Sequence, residues 1–184
     1  MSYHLFQLIN AAAGRNDPLD DVMEWAAVWL IYVLGALAVV PLLRGVRTRG
    51  RTAVVPVVVS LLVAFAVGQV VAAISTEVRP FQTHLVHQLI PHDAGGSLPS
   101  DHATAAFAVA FAVGAFLSRR WGVALSGLAI AIGFARVWTG VHYPVDIVAG
   151  ALIGAASVLI VTLAGSLVDR WGHRRRSGTA VGSR

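Results

Sequence analysis

Apolar residues gather in five stretches along the chain: Val22 to Leu43, Thr52 to Ser75, His102 to Leu117, Trp121 to Val137 and Pro144 to Val168. Each spans, or nearly spans, a hydrocarbon core that takes about 20 helical residues. The third and fourth are the shortest, and their polar starts extend them. Ahead of them, residues 1–21 set Phe6, Leu8 and Ile9 among polar neighbours, the pattern of a short interfacial helix, followed by a turn at Asn16-Asp17-Pro18. A cleaved signal peptide is not expected, because no positively charged start precedes an apolar run. The pattern predicts an all-α integral membrane helix bundle with about five transmembrane helices plus a short N-terminal interfacial helix. It forms one domain over residues 1–184, with a basic tail at 169–184. No repeat and no soluble domain stands out.

Composition agrees: 57% of the 184 residues are hydrophobic and 12% charged, far more apolar than a soluble domain. No cysteine is present, which removes disulfides, thiolate metal sites and cysteine nucleophiles. All fourteen basic residues are arginine, for a formal charge of +5, and their placement argues against nucleic acid as the partner. Arg44, Arg47, Arg49 and Arg51 follow the first stretch, Arg119 and Arg120 the third, and Arg170, Arg174, Arg175, Arg176 and Arg184 the fifth. These are alternate connections, so one side of the membrane holds eleven of the fourteen arginines and is the cytoplasm; the N-terminus is then outside and the C-terminus inside. No aromatic stacking platform accompanies them, so they read as topology signals and lipid contacts. Trp25, Trp29, Trp121, Trp138, Tyr143 and Trp171 sit near predicted ends as interfacial anchors. Gly35, Gly68, Gly114, Gly127, Gly133, Gly150 and Gly154 would let helices approach closely.

The polar chemistry collects on the opposite side. Six of the seven histidines, His4, His84, His87, His92, His102 and His142, fall outside or at the outer rim, with Arg79 and Arg136 where apolar stretches end. An ionisable group at membrane depth is costly and is a functional candidate by default. In "SLPSDHATAAFAVAFAVG", Ser100 is placed as an N-cap, so the free N–H groups of Asp101, His102 and Ala103 would offer an anion site; plain capping with an incidental histidine fits the stretch equally well. In "ARVWTGVHYPVDIVAG", Asp146 lies four residues after His142 and can turn back toward the imidazole, fixing its tautomer and freeing the other nitrogen. Taken alone, Asp146 is better explained as a first-turn helix acid. Arg79, in "EVRPF", suits bidentate phosphate binding or an ion pair with Glu77.

Taken in chain order, Arg79-Pro80, then Pro99-Ser100-Asp101-His102, then Arg136, five residues, His142, three residues, Asp146, the sequence resembles the type 2 phosphatidic acid phosphatase family of integral membrane phosphatases. That family carries Lys, six residues, Arg-Pro; then Pro-Ser-Gly-His; then Ser-Arg, five residues, His, three residues, Asp. Three positions depart: Ala72 stands where the lysine would be, Asp101 replaces glycine, and Ala135 replaces serine. Asp101 and the histidine-rich stretch "RPFQTHLVHQLIPHDAGGSLPSDHATAAFAVA" resemble the bacitracin-resistance branch, the undecaprenyl-diphosphate phosphatases. The close resemblance covers Glu77 to about Gly150.

The resemblance implies phosphoryl transfer without metal or cofactor, through a phosphohistidine. His142 would attack, Asp146 would orient it, and His102 would donate to the leaving oxygen. Arg79, Pro80, Ser100, Asp101 and Arg136 would form the phosphate site. The implied substrate is undecaprenyl diphosphate or a related polyprenyl diphosphate, hydrolysed at the outer face of a bacterial plasma membrane to the monophosphate that carries cell-wall precursors. Two alternatives stay open. One keeps the chemistry and changes the lipid to phosphatidylglycerophosphate, phosphatidic acid or a phosphorylated decaprenyl sugar. The other makes His84, His87 and His92 a metal or proton site in a transporter-like protein. The sequence leaves the oligomeric state undetermined.

Overall fold

Single residues decide where helices begin and end, and a computed structural model describing residues 2–179 shows the result. The elements are α1 (Ser2–Asn10), α2 (Asp17–Arg49), a 3-10 turn (Arg51–Val54), α3 (Val55–Ile74), α4 (Pro80–Thr83), α5 (Asp101–Phe116), α6 (Arg119–Trp138) and α7 (Pro144–Thr179). Among the described residues no strand forms, and one isolated antiparallel bridge joins Val78 to Gly96. Asn16, expected in a turn, is instead the N-cap of α2: its side chain accepts the Leu19 N–H at 3.2 Å. Pro18 then sits in the first turn, where its missing N–H costs nothing. Gly50 ends the same helix at φ +83, a conformation open to glycine.

Four helical stretches are long and apolar enough to cross a membrane: Asp17–Arg49, Arg51–Ile74, Arg119–Trp138 and Pro144–Val168. α5, the fifth, has 16 residues. At 1.5 Å per residue it reaches about 24 Å, short of a core of about 30 Å. It compensates by lying in the middle, packed against α6, α7, α3 and α2. Its alanines Ala103, Ala106, Ala108, Ala110 and Ala112 are fully buried. Around them Leu34, Ala38, Phe107, Val113, Leu125, Ala129 and Ile132 complete the core. Lipid is as apolar as these side chains, so close van der Waals packing rather than water exclusion holds the helices together. The outward faces of α2, α3 and α7 carry exposed Tyr32, Leu62, Phe65, Leu159 and Leu163, as lipid contact requires.

Glycines divide by what faces them. A Cβ on Gly122 would strike the Gly114 backbone, and one on Gly150 would come within 2.7 Å of the Thr104 nitrogen, so α5 touches α6 at one end and α7 at the other. Gly154 meets the Ala108 nitrogen at 2.8 Å, Gly133 faces the Ile147 side chain, and Gly68 has looser contact with Thr104 and Pro99. Gly35 and Gly127 face nothing within 4 Å and do not serve packing.

The predicted interfacial helix is more deeply engaged than its pattern indicated. α1 exposes Leu8, but Phe6 is 1% exposed and packs with Val137 and Tyr143. Two expected interfacial anchors are likewise interior residues: Trp138 and Tyr143 are buried, whereas Trp25 and Trp29 are exposed. The side chains of Trp171, Arg174, Arg175, Arg176 and Arg184 lie outside the described residues.

Candidate active site

His142 follows the tight connection after α6 and Pro144 opens α7, so Asp146 falls within the first turn of α7 and faces back. His142 Nδ1 and Asp146 Oδ2 are 3.2 Å apart, and the two side chains are 3% and 0% exposed. The same Oδ2 accepts the Tyr143 N–H at 2.8 Å and the Ser97 hydroxyl. On the other face of the ring, Arg79 Nη1 lies 3.0 Å from His142 Nε2. Arginine only donates, so Nε2 presents its lone pair and Nδ1 carries the proton toward Asp146. Burial, first, and the Arg136 and Arg79 charges push the imidazole down to about 4, against the pull of Asp146. The ring is therefore neutral near pH 7, with a nucleophilic nitrogen facing a guanidinium.

Arg79 is half-buried and also donates to the Val141 carbonyl at 3.3 Å. The alternative ion pair with Glu77 does not form. Burial lowers the Arg79 guanidinium from its usual value, while Asp101, Asp146 and Asp93 oppose that. Arg136, 3% exposed in the last turn of α6, reaches the Ala27 carbonyl of α2 at 3.5 Å. The Nε atoms of Arg79 and Arg136 and the Ser100 hydroxyl are buried without a hydrogen-bond partner. Buried polar atoms are normally paired, so an unpaired set at one helix bundle end marks a place for an anion.

Ser100 holds the N-cap position of α5, but its hydroxyl does not cap the helix. Its N–H donates to the Asp146 carbonyl at 3.3 Å, which fastens the start of α5 to the start of α7. His102, one residue into α5 beyond Asp101, is half-buried and within electrostatic reach of Arg136, His142, His92 and Arg79. Asp101 is exposed and lines a cleft of about 430 Å³ between α3 and α5 with Leu61, Ala64, Phe65 and Gly68. Pro80 is buried in the first turn of α4 and fixes the backbone beside Arg79. The eight residues singled out by sequence thus meet at one end of the bundle. Ala72, at the position of the absent lysine, is exposed and supplies no cation.

Several supporting residues escaped the sequence reading. Ser97 is fully buried and bonds Asp146 across 49 positions, a contact no local spacing announces. Asn10 clamps the loop between α4 and α5: its amide donates to the His87 and Trp138 carbonyls, both at 2.8 Å, and accepts the His87 N–H at 2.9 Å. Asp20 accepts from Trp138 Nε1 at 2.8 Å. The loop histidines separate rather than cluster: the His84 ring stacks on Tyr3 at 3.8 Å between centroids, the His87 backbone pairs with Asn10, and the His92 ring stands 6.2 Å from that of His142. That separation removes the support for a three-histidine metal or proton site.

A family model described as the PAP2 superfamily matches residues 53–168. Undecaprenyl-diphosphatase BcrC of Bacillus subtilis is 34% identical over 155 residues, covering 84% of this chain and 79% of the relative. The bacitracin transport permease protein BcrC of Bacillus licheniformis is also 34% identical, over 157 residues, 85% of this chain and 76% of that protein. Among solved structures, Aquifex aeolicus LpxE superposes with a TM-score of 0.70 at 26% identity, covering 88% of this chain and 94% of the other.

Proposed function

The chain belongs to the PAP2 superfamily, and from that premise we propose that it is a multi-pass membrane phosphatase that hydrolyses undecaprenyl diphosphate, or a related polyprenyl diphosphate, to the monophosphate. The observation that carries the reading is the buried His142–Asp146 pair whose free Nε2 faces Arg79, beside unpartnered Arg79 Nε, Arg136 Nε and Ser100 Oγ. Arg79 lies against that nitrogen, and the reading adds Arg136, Ser100 and the α5 N-terminus as the other phosphate-binding groups. Phosphoryl transfer rests largely on such positioning and charge stabilisation.

In the reaction, the terminal phosphate displaces Arg79 from His142 Nε2, and the guanidinium turns onto a phosphate oxygen. Nε2 attacks phosphorus, an N–P bond forms, and the bridging P–O bond breaks. His102, which takes up a proton as the bound phosphate offsets the arginine charges around it, gives that proton to the departing lipid phosphate. Asp146 stabilises the imidazolium character that develops on His142. Water then attacks the phosphohistidine with His102, now neutral, taking its proton; the N–P bond breaks and inorganic phosphate leaves. Arg79, Arg136, Ser100 and the N–H groups at the start of α5 hold the remaining oxygens.

The cleft between α3 and α5 supports a lipid substrate, since it leads from Asp101, next to His102, along apolar Leu61, Ala64 and Phe65. The arginine placement supports a site facing outside, with the N-terminus out and the C-terminus cytoplasmic. On that orientation the enzyme recycles the cell-wall lipid carrier, and higher levels of it confer bacitracin resistance. The test is acid quenching of the purified protein with undecaprenyl diphosphate labelled in its terminal phosphate. An acid-labile, alkali-stable phosphoenzyme is expected from the wild type and none from His142→Ala. Undiminished hydrolysis by His142→Ala would refute the assignment.

A further inference from the structure

We infer that His92 forms the subsite for the second phosphate of a diphosphate, the one that departs with the lipid; the inference rests on the proposed function and sharpens it. The His92 and His142 rings meet edge to face, 6.2 Å between centroids with planes at 81°. The rings are neighbours with no bond between them, so His92 borders the space beside His142. A group on His142 Nε2 and its bridged neighbour would therefore lie against His92.

The position is built rather than incidental. Two residues upstream, Ile90 is 6% exposed and packs with Ala26, Ala27, Ala135 and Val141, the wall behind His142. Leu89 N–H donates to the Thr139 carbonyl at 3.2 Å, tying the loop to the connection that bears His142. Downstream, Gln82 Nε2 donates to the Gly95 carbonyl at 2.8 Å, Gly96 bridges to Val78, and Ser97 N–H donates to the Glu77 carbonyl at 2.8 Å. The segment holding His92 is thus pinned on both sides, to the two elements that carry His142 and Arg79. Within it, His92 is half-buried, and Nδ1 lies 3.2 Å from the Asp93 carbonyl. Nδ1 donates there, and Nε2 is uncommitted.

Charge makes the assignment specific. A bound terminal phosphate faces the fixed charges of Arg79 and Arg136, and a second phosphate adds negative charge that these two do not meet. Burial, then Arg79, holds the His92 imidazole below its ordinary value in the empty site, with Arg136 adding to this and Asp93 opposing it. An arriving diphosphate reverses that balance. His92 then takes up a proton and donates Nε2–H to a phosphate oxygen, keeping Nδ1–H on Asp93. A monophosphate lipid has nothing to place there, so His92 separates the two substrate classes.

The experiment compares kcat/KM of wild type, His92→Ala and His92→Gln on farnesyl diphosphate and farnesyl monophosphate, with melting curves as a control for folding. Loss of a charge-assisted bond lowers kcat/KM on the diphosphate by about 10- to 100-fold, and on the monophosphate by less than about threefold. His92→Gln, which keeps a donor, recovers part of the loss. Inhibition by inorganic diphosphate weakens in His92→Ala, whereas inhibition by inorganic phosphate does not. Equal losses on both substrates, or none, overturn the subsite while leaving the phosphatase reading intact. A wild-type protein that cleaves the monophosphate alone overturns both.

Discussion

Ser97→Ala is the sharpest probe of how the nucleophile is held. The Ser97 hydroxyl is fully buried and donates to Asp146 Oδ2, which also receives the Tyr143 N–H at 2.8 Å and faces His142 Nδ1 at 3.2 Å. The other carboxylate oxygen, Oδ1, is buried with no partner, so Ser97 supplies one of three donors to the whole group. Its removal leaves a carboxylate held along one edge by its own helix turn alone. A hydrogen bond to a charged group contributes about 1.5–3 kcal/mol. Alanine preserves the Ser97 N–H bond to the Glu77 carbonyl, so the loop stays attached and the loss falls on Asp146. If half of the upper figure is expressed in the transition state, kcat falls about tenfold. KM is unchanged, because the Ser97 hydroxyl is spent on Asp146 and does not face the phosphate. Steady-state kinetics and thermal melting in detergent measure the two effects, and Ser97→Thr, which keeps the hydroxyl, restores most of both. Combined with Asp146→Asn, Ser97→Ala adds little further loss, since the two residues act as one unit. Wild-type kcat and melting in Ser97→Ala, or a raised KM with kcat unchanged, would refute the positioning role.

Asp146→Asn removes the charge that stabilises the developing imidazolium and can turn an amide N–H onto His142 Nδ1, which favours the wrong tautomer; kcat falls by about 100-fold or more with the circular dichroism spectrum unchanged. Gly150→Ala drives a methyl to 2.7 Å from the Thr104 nitrogen and 3.1 Å from the Ala103 carbonyl carbon. Backbone cannot yield there, so α5 and α7 part at the site, costing about 1–3 kcal/mol in melting experiments and lowering kcat, whereas Gly127→Ala, facing nothing within 4 Å, does neither. His142 is held down to about 4 by burial, below the usual imidazole value near 6.5, so the folded state binds fewer protons than the unfolded one between those limits. The stability that follows is complete above about pH 6.5 and is lost as pH falls toward about 4. Melting temperature measured across that window drops in the wild type and drops less in His142→Gln.

The chain's pattern of apolar and polar residues was sufficient for the membrane helices, and the four-residue spacing of His142 and Asp146 made their pairing possible without deciding it. Each of these is local. Run length sets a span, and a four-residue spacing at a helix start puts two side chains on one face. The block Pro99-Ser100-Asp101-His102 was legible too, as the start of a helix, though not the fate of the Ser100 hydroxyl, which caps nothing and remains unpartnered. Tertiary structure alone decided which distant groups share a neighbour. Glu77 lends its carbonyl to Ser97 instead of pairing with Arg79, Tyr143 turns inward under α1, Trp138 turns inward onto Asp20 of α2, and Asn10 closes the loop between α4 and α5 from the far end of the chain. His92 and Ser97 belong to the site for the same reason: the loop between α4 and α5 folds back over the connection that bears His142. A linear sequence carries period and face, which are properties of one element. It does not carry the close approach of two elements, which depends on the summed packing of every side chain between them.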